Sequence, residues 1–283
     1  MEKVILVAES GADISKETAE QYGIHIVPMY ILFGEICKAD GTFPTEEIIE
    51  FYRRIGAPPK TSCATPYDFS NAFDQIHEQY PDGKILYLAY SGITTSTFQN
   101  GKLAAENRSY VTCLDTKQAS AGQGMIVTRM AQMIQDHPDW DIKRAANEAK
   151  SLIERSHMCF ITSNLDFLRA GGRCSNVTAL CGNMLGIHPL IDMVDGRPKA
   201  TKKYRGRMRK IIPKMIADYA EAHRLEREEL CLMHSPELSE ECKWIAEQAA
   251  KQCGFKKIYW NATGGVITCH GGPGAFGIAG FTQ

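Results

Sequence analysis

The order of apolar and polar positions along the chain predicts an alternation of strands and helices. The apolar run Val4–Ala8 is typical of a buried strand, and the longer run Ile24–Phe33 predicts a second one. Further strands are expected at Ile85–Ala89 and Val111–Leu114, each followed by a polar loop and a helical pattern. Such an alternation is typical of a parallel sheet that is covered by helices.

Helices are predicted where apolar residues recur at steps of three and four. Thr45 is the expected N-cap of one such helix, because a short hydroxyl side chain can accept a hydrogen bond from the first turn. The face of this helix is apolar at Ile48, Ile49, Tyr52 and Ile55. The following helix repeats the pattern at Phe69, Phe73, Ile76 and Tyr80.

The pattern changes after about residue 156, where glycines break the chain into shorter pieces. We therefore expect an α/β protein with two α/β domains, residues 1–155 and residues 156–283. The N-terminal domain should contain the mainly parallel sheet flanked by helices.

One helix of the second domain has clear start and stop signals. Ser235 is the expected N-cap, and Gly254 is the expected end. Two strands are predicted near this helix, both after it along the chain, at Lys256–Trp260 and Val266–Cys269. In that interpretation His270 ends a strand and enters a glycine-rich loop, where the backbone can approach a ligand closely.

The composition is that of an ordinary globular protein. Of the 283 residues 44% are hydrophobic and 23% are charged, which excludes a disordered or fibrous chain. The 32 basic and 33 acidic residues nearly cancel, whereas a protein that acts on nucleic acid usually has a basic excess. We expect no nucleic-acid partner.

The cysteines and the longest apolar stretch indicate where in the cell the protein is expected. The ten cysteines never form a C-x-x-C pair, which indicates free thiols in the cytoplasm and no zinc site. The longest mostly apolar stretch, Ile24–Phe33, is far shorter than the roughly 20 residues that cross a bilayer. We expect a cytoplasmic protein with at most transient membrane contact.

Two clusters of hydroxyl side chains are the first candidate for a binding site. Thr61–Pro66 precedes a predicted helix, and Ser91–Thr97 directly follows the strand Ile85–Ala89. Ligands of open α/β sheets bind beyond the carboxyl ends of the strands, where helix N-termini present free N–H groups. The clusters predict a site for a carboxylate or a phosphate, although N-caps and turns alone would also explain them.

A hydrolase is the alternative from the enzyme class. Ser96, Asp115 and His270 could be drawn as a nucleophilic triad. No G-x-S-x-G sequence surrounds any serine, which argues against the nucleophile geometry of the α/β hydrolases.

The segment Arg197–Lys210 has eight basic residues and no acidic one. This concentration in an otherwise acidic chain suggests docking on an acidic partner or on phosphates, and the alternative is a solvated face. A regulator that binds nucleic acid through this segment is a third hypothesis, which the acidic remainder of the chain disfavours.

Six segments together resemble the DegV family of bacterial fatty-acid-binding proteins, in the same order along the chain. The pairs of segment and family motif are Val7–Asp13 with T-D-S-T-A-D, Thr61–Pro66 with T-S-Q-P-S-P, Tyr90–Gln99 with L-S-S-G-L-S-G-T-Y-Q, Phe167–Arg173 with Y-L-K-K-G-G-R, Lys203–Gly206 with K-V-R-G, and His270–Gly277 with H-x-G-P-G-A-x-G. Glu9 and Gly11 depart from the Asp and Thr of the first motif.

The resemblance implies a carrier and not an enzyme. One long-chain fatty acid would lie between the two domains as the ligand, with no cofactor. A separate fatty acid kinase would phosphorylate the bound carboxylate, which the protein presents to it as a substrate for acyl-phosphate formation.

The resemblance also implies the residues of the site. Thr61 and Thr95 would hold the carboxylate, and Ser96 replaces the glycine of the second family motif. The expected ligand-binding residues are Thr61, Ser62, Thr95, Ser96, Arg173 and His270. The expected kinase-docking residues are Lys203 and Arg205.

Overall fold

The computed structural model describes residues 3–163, 165–174 and 186–283. The strands of this part are β1 (Val4–Glu9), β2 (His25–Val27), β3 (Tyr30–Phe33), β4 (Ile36–Ala39), β5 (Lys60–Ser62), β6 (Lys84–Ala89), β7 (Val111–Asp115), β8 (Ser156–Ile161), β9 (Ile187–Val194), β10 (Arg197–Arg205), β11 (Glu229–His234), β12 (Lys257–Ala262) and β13 (Phe276–Phe281). Its α-helices are α1 (Lys16–Tyr22), α2 (Glu46–Ile55), α3 (Pro66–Gln79), α4 (Thr97–Ala105), α5 (Ser120–Asp136), α6 (Ile142–Arg155), α7 (Leu165–Gly171), α8 (Met208–Ala222), α9 (Glu240–Gln252) and α10 (Gly265–Gly271). Within these ranges no helix has the length and apolar character to cross a membrane.

The N-terminal half contains the expected parallel sheet, in the order β2-β1-β6-β7. All six residues of β1 are buried, as expected for a strand with helices on both faces. Leu86 and Leu88 of β6 pack in the cluster that contains α5, and Tyr87 packs on the opposite face against Phe69 and Phe73 of α3. The prediction of an α/β fold with this sheet is confirmed.

The apolar run Ile24–Phe33 is not one strand, as the sequence predicted, but two strands in different sheets. β2 pairs with β1, whereas β3 pairs antiparallel with β4 and β5 in a separate three-stranded sheet. The break falls at Pro28, which has no N–H to donate to a sheet ladder. The next residue, Met29, donates its N–H to Ser10 Oγ at 3.0 Å.

A six-stranded sheet is formed by strands that all lie after residue 155. Its order is β10-β9-β8-β13-β11-β12, and only β11 and β12 are parallel neighbours among these strands. We propose to keep the domain boundary at residue 155, where α6 ends and β8 begins.

Helix α5 lies between the four-stranded and the six-stranded sheet. Met125 and Met130 of α5 belong to one buried cluster with Leu86 of the parallel sheet and with Met158 and Phe281 of the six-stranded sheet. The largest apolar core of the described residues is therefore shared by the two halves of the chain.

Two predictions for the C-terminal half are wrong. Ser235 is not an N-cap, since its hydroxyl donates to Gly272 O at 2.6 Å and accepts from Ala275 N at 2.8 Å. The helix α9 begins later, with Ser239 as its N-cap.

The predicted strand Val266–Cys269 is part of the helix α10. Asp40 accepts the N–H of Gly265 at 2.7 Å, and a carboxylate at a helix N-terminus stabilises the helical state. His270 consequently lies in the last turn of a helix and does not end a strand.

Candidate functional site

A cavity lies between the two larger sheets. Its first wall consists of loops at the carboxyl ends of the parallel strands, with Tyr90 after β6 and Ala119 after β7. Its second wall is one face of the six-stranded sheet, with Phe160 of β8 and Met193 of β9. The family resemblance predicted a ligand between the two halves of the chain, and this cavity is the candidate for its position.

Most of the cavity wall is apolar, and methionine is prominent in it. The methionines of the wall are Met29, Met158, Met193 and Met233. Methionine is unbranched and polarizable, so it adapts its shape to different apolar partners. The wall therefore suits a flexible hydrocarbon chain.

Thr61 and His270, two of the expected ligand-binding residues, lie beside each other in the cavity wall. Thr61 Oγ1 and His270 Nε2 are 3.0 Å apart, which joins β5 to α10. Burial, together with the nearby charge of Arg173, lowers the pKa of His270 to about 4. The imidazole is therefore neutral at pH 7, and the pair offers hydrogen bonds without a full charge.

Gly171 is the reason that the His270 ring fits in this place. A Cβ atom at Gly171 would lie 2.3 Å from His270 Nδ1, far inside van der Waals contact. The same Nδ1 atom is buried and has no hydrogen-bond partner in the described residues. Helix α7 thus holds the ring from one side while Thr61 holds it from the other.

Arg173 and Ser62 also line the cavity, and both are exposed. Arg173 follows α7 and donates from Nη1 to Gly171 O at 2.8 Å. Their exposure places them at the mouth of the cavity, where they face both solvent and the interior.

Thr95 lines the cavity in the second hydroxyl cluster. Its Oγ1 lies 2.8 Å from Thr97 Oγ1 and accepts the N–H of Thr97 at 3.3 Å. When Thr97 also donates its hydroxyl hydrogen, the hydroxyl hydrogen of Thr95 is left for a ligand. Thr94 lines the same wall, although its hydroxyl donates to Ser91 O.

Ser96 departs from the prediction because it does not line the cavity. It is exposed and forms the N-cap residue of α4, after Thr95 has already turned inward. The triad of the hydrolase alternative is not formed either. Asp115 accepts the backbone N–H groups of Gly92 and Lys117, while His270 Nδ1 has no carboxylate partner in the described residues.

Lys203 and Arg205 lie on β10, which is an edge strand. They pair with Pro189 and Ile187 of β9. A bulge at Thr201 precedes them along β10 and shifts the register. This register places their side chains on the same sheet face as the cavity residue Pro198 and the buried Ala200. Both are exposed, so the basic strand borders the cavity on its solvent side.

Three buried carboxylates near the site were not predicted from the sequence. Glu9 accepts from the Tyr87 hydroxyl and from Gln123 Nε2, and burial raises its pKa. Asp13 accepts from Ser120 Oγ at 2.5 Å and from Gly264 N at 2.8 Å, and burial also raises its pKa. The third carboxylate, Asp40, holds the next N–H of the same helix terminus. The roles of Asp13 and Asp40 depend on contacts with α10 that no local sequence signal indicates.

No group of histidine, cysteine and carboxylate side chains that could hold a metal ion is found in residues 3–163, 165–174 and 186–283. The nine cysteines within those ranges are free thiols.

Comparison with known proteins decides the family. Residues 3–283 match the family model described as "uncharacterised protein, DegV family". The chain belongs to the DegV family. A DegV domain-containing protein of Deinococcus radiodurans is 27% identical over 280 residues, which are 98% of this chain and 97% of that protein.

Two solved structures have the same fold. A DegV family protein from Thermus thermophilus, described as fatty acid binding, is 26% identical with a TM-score of 0.89, over 99% of this chain and 100% of that one. The Fatty Acid Kinase (Fak) B3 protein of Streptococcus pneumoniae, loaded with linoleic acid, is 15% identical with a TM-score of 0.84, over 99% and 100% of the two chains.

Proposed function

We propose that this DegV protein is a non-enzymatic carrier that binds one long-chain fatty acid and presents its carboxylate to a fatty acid kinase. The observation that supports this function best is the apolar cavity between the sheets, with the neutral pair of Thr61 and His270 in its wall. The fatty acid described for the Thermus thermophilus relative agrees with this ligand class. We further propose that the carrier acts in the cytoplasm, where free thiols persist.

The energetics of such a complex favour the hydrocarbon chain over the head group. About fifteen methylenes gain roughly 12 kcal/mol of gross transfer free energy at ~0.8 kcal/mol each. Hydroxyl groups and a neutral imidazole then need only satisfy the hydrogen bonds of the carboxylate. Arg173 lies at the exposed mouth of the cavity, where solvent screens its charge, so the carboxylate keeps its nucleophilic oxygen available for attack on a phosphate.

The carrier hypothesis predicts that protein purified from a bacterial host contains long-chain fatty acid at about one molecule per chain. The expected reason is that a ligand buried along the cavity dissociates slowly. Denaturing extraction with organic solvent followed by mass spectrometry measures it. If neither the purified protein nor protein incubated with lipid contains a long-chain acid, the carrier hypothesis is wrong.

Thr61→Val and Thr95→Val are each expected to weaken fatty-acid binding by about 1–3 kcal/mol, since each leaves a charged acceptor without one hydrogen bond. Valine keeps the shape of threonine, so the fold should be retained. Thr65→Val is a matched control, because this N-cap of α3 lies outside the cavity wall. Titration of delipidated protein measures the affinities, and parental affinity in both variants would place the carboxylate elsewhere.

The double variant Lys203→Glu and Arg205→Glu is expected to keep its fatty acid but to slow phosphorylation by the kinase. Peripheral charges act mainly on the association rate, so the defect should be largest at low kinase concentration and low salt. The control is Arg197→Glu with Lys199→Glu, which reverses the same charge on the opposite face of β10. If both double variants are phosphorylated at the parental rate at low salt, the strand is a solvated face.

A further inference from the structure

Tyr90 lines the cavity, and the function proposed above gives no role to its hydroxyl group. The residue directly follows β6. Its ring packs over Gly11, where a Cβ atom would lie 3.0 Å from Tyr90 Cδ2 and 3.1 Å from Met29 Sδ. The absence of a side chain at Gly11 therefore provides the room for the Tyr90 ring.

The hydroxyl group of Tyr90 is a hydrogen-bond donor that lacks a protein partner. In the part of the chain that the structure describes, no group accepts a hydrogen bond from it, whereas its backbone N–H donates to Glu9. Burial and the charges of Asp13 and Glu9 raise the pKa of Tyr90, so the phenol keeps its proton at neutral pH. Tyr90 lines the same cavity as Thr61, Arg173 and His270.

Several other hydroxyl groups of the wall are already used within the protein. Ser120 donates to Asp13 at 2.5 Å, Ser235 donates to Gly272 O, and Thr263 contacts Thr268. A donor that lines a mostly apolar cavity without a protein partner gains from an acceptor placed there. The Tyr90 hydroxyl, like that of Thr95, is thus a donor of this wall that is left for an acceptor on the ligand.

We propose that Tyr90 is a specificity-determining residue whose hydroxyl donates a hydrogen bond to an oxygen of the bound fatty acid, with Gly11 providing the space for its ring. This inference rests on the carrier function proposed above. The oxygen is either the carboxylate of any fatty acid or a hydroxyl on the chain of an oxygenated one. Both oxygens accept hydrogen bonds, whereas a saturated hydrocarbon chain has no acceptor atom.

The test uses Tyr90→Phe, which removes the hydroxyl and keeps the ring. Delipidated protein is titrated with stearic acid and with 10- and 12-hydroxystearic acid. We expect the dissociation constant of at least one acid to rise about tenfold, which corresponds to one lost hydrogen bond. Tyr110→Phe is the matched control, because the Tyr110 hydroxyl contacts Asp74 outside the cavity.

The pattern across the acids identifies the acceptor. An equal loss for all three acids assigns the hydrogen bond to the carboxylate. A loss confined to the hydroxystearic acids assigns it to the chain and makes oxygenated acids the preferred ligands.

The contact with Gly11 provides a second, independent measurement. Gly11→Ala should weaken binding in the parent, because the added methyl group displaces the ring, and should weaken it less in the Tyr90→Leu background, where the close contact with Met29 Sδ remains. Parental affinity of Tyr90→Phe for all three acids would overturn the inference while leaving the carrier function intact. If the parent itself binds none of the acids, the carrier function fails first.

Discussion

Asp40→Ala is expected to lower the free energy of unfolding by about 2–4 kcal/mol. The Asp40 side chain is only 7% exposed, and it accepts the N–H groups of Gly265 at 2.7 Å and Val266 at 3.5 Å. Hydrogen bonds to a charged group are worth about 1.5–3 kcal/mol, and their loss leaves buried N–H groups unsatisfied. Urea denaturation measures the effect.

Two variants show whether this loss is specific. Asp40→Asn keeps one acceptor oxygen, so it should cost less than the alanine variant. Asp139→Ala removes an exposed carboxylate and should change the stability by less than about 0.5 kcal/mol. Because α10 carries His270, Asp40→Ala should also weaken fatty-acid binding; unchanged stability and binding would contradict the role given to Asp40.

Gly171→Ala is expected to weaken fatty-acid binding tenfold to a hundredfold, about 1–3 kcal/mol, although it adds only one methyl group. The new Cβ would lie 2.3 Å from His270 Nδ1, so the ring must rotate away and leave Thr61. Isothermal titration of delipidated protein with stearic acid measures the loss.

The control for this variant is Gly271→Ala, which adds the same group beside His270. Its Cβ would make an ordinary contact of 3.6 Å with Ala275 Cβ, so the ring should keep its place. Adding His270→Ala to Gly171→Ala should restore thermal stability, because it removes the overlap. Equal affinities of the two glycine variants would show that the ring position does not matter for binding.

The elements that the sequence predicted correctly are those whose pattern is local. β1, β6 and β7 are short apolar runs between turn signals, and neighbouring parallel strands bury such runs on both faces. The segment Val266–Cys269 was predicted as a strand but lies in the helix Gly265–Gly271. A short apolar run fits a strand and a buried helix equally well. Its helical state is stabilised by Asp40, which is 225 residues away along the chain.

The same distinction applies to the candidate site. Thr61 and Thr95 were predicted because each lies in a hydroxyl cluster that resembles a family motif, and both line the cavity. Gly171 and Tyr90 were missed as site residues. Their roles arise from His270 and Gly11, which only the tertiary fold brings beside them.

Helix α5 has a consequence for folding cooperativity. Because α5 packs on both large sheets, a fragment that ends at residue 155 would leave uncovered the side of α5 that Met158, Ala279 and Phe281 normally contact. Such a fragment would expose a contiguous apolar patch and would be prone to association. The two halves of the chain therefore depend on each other for stability, and we expect them to unfold in one transition despite their separate sheets.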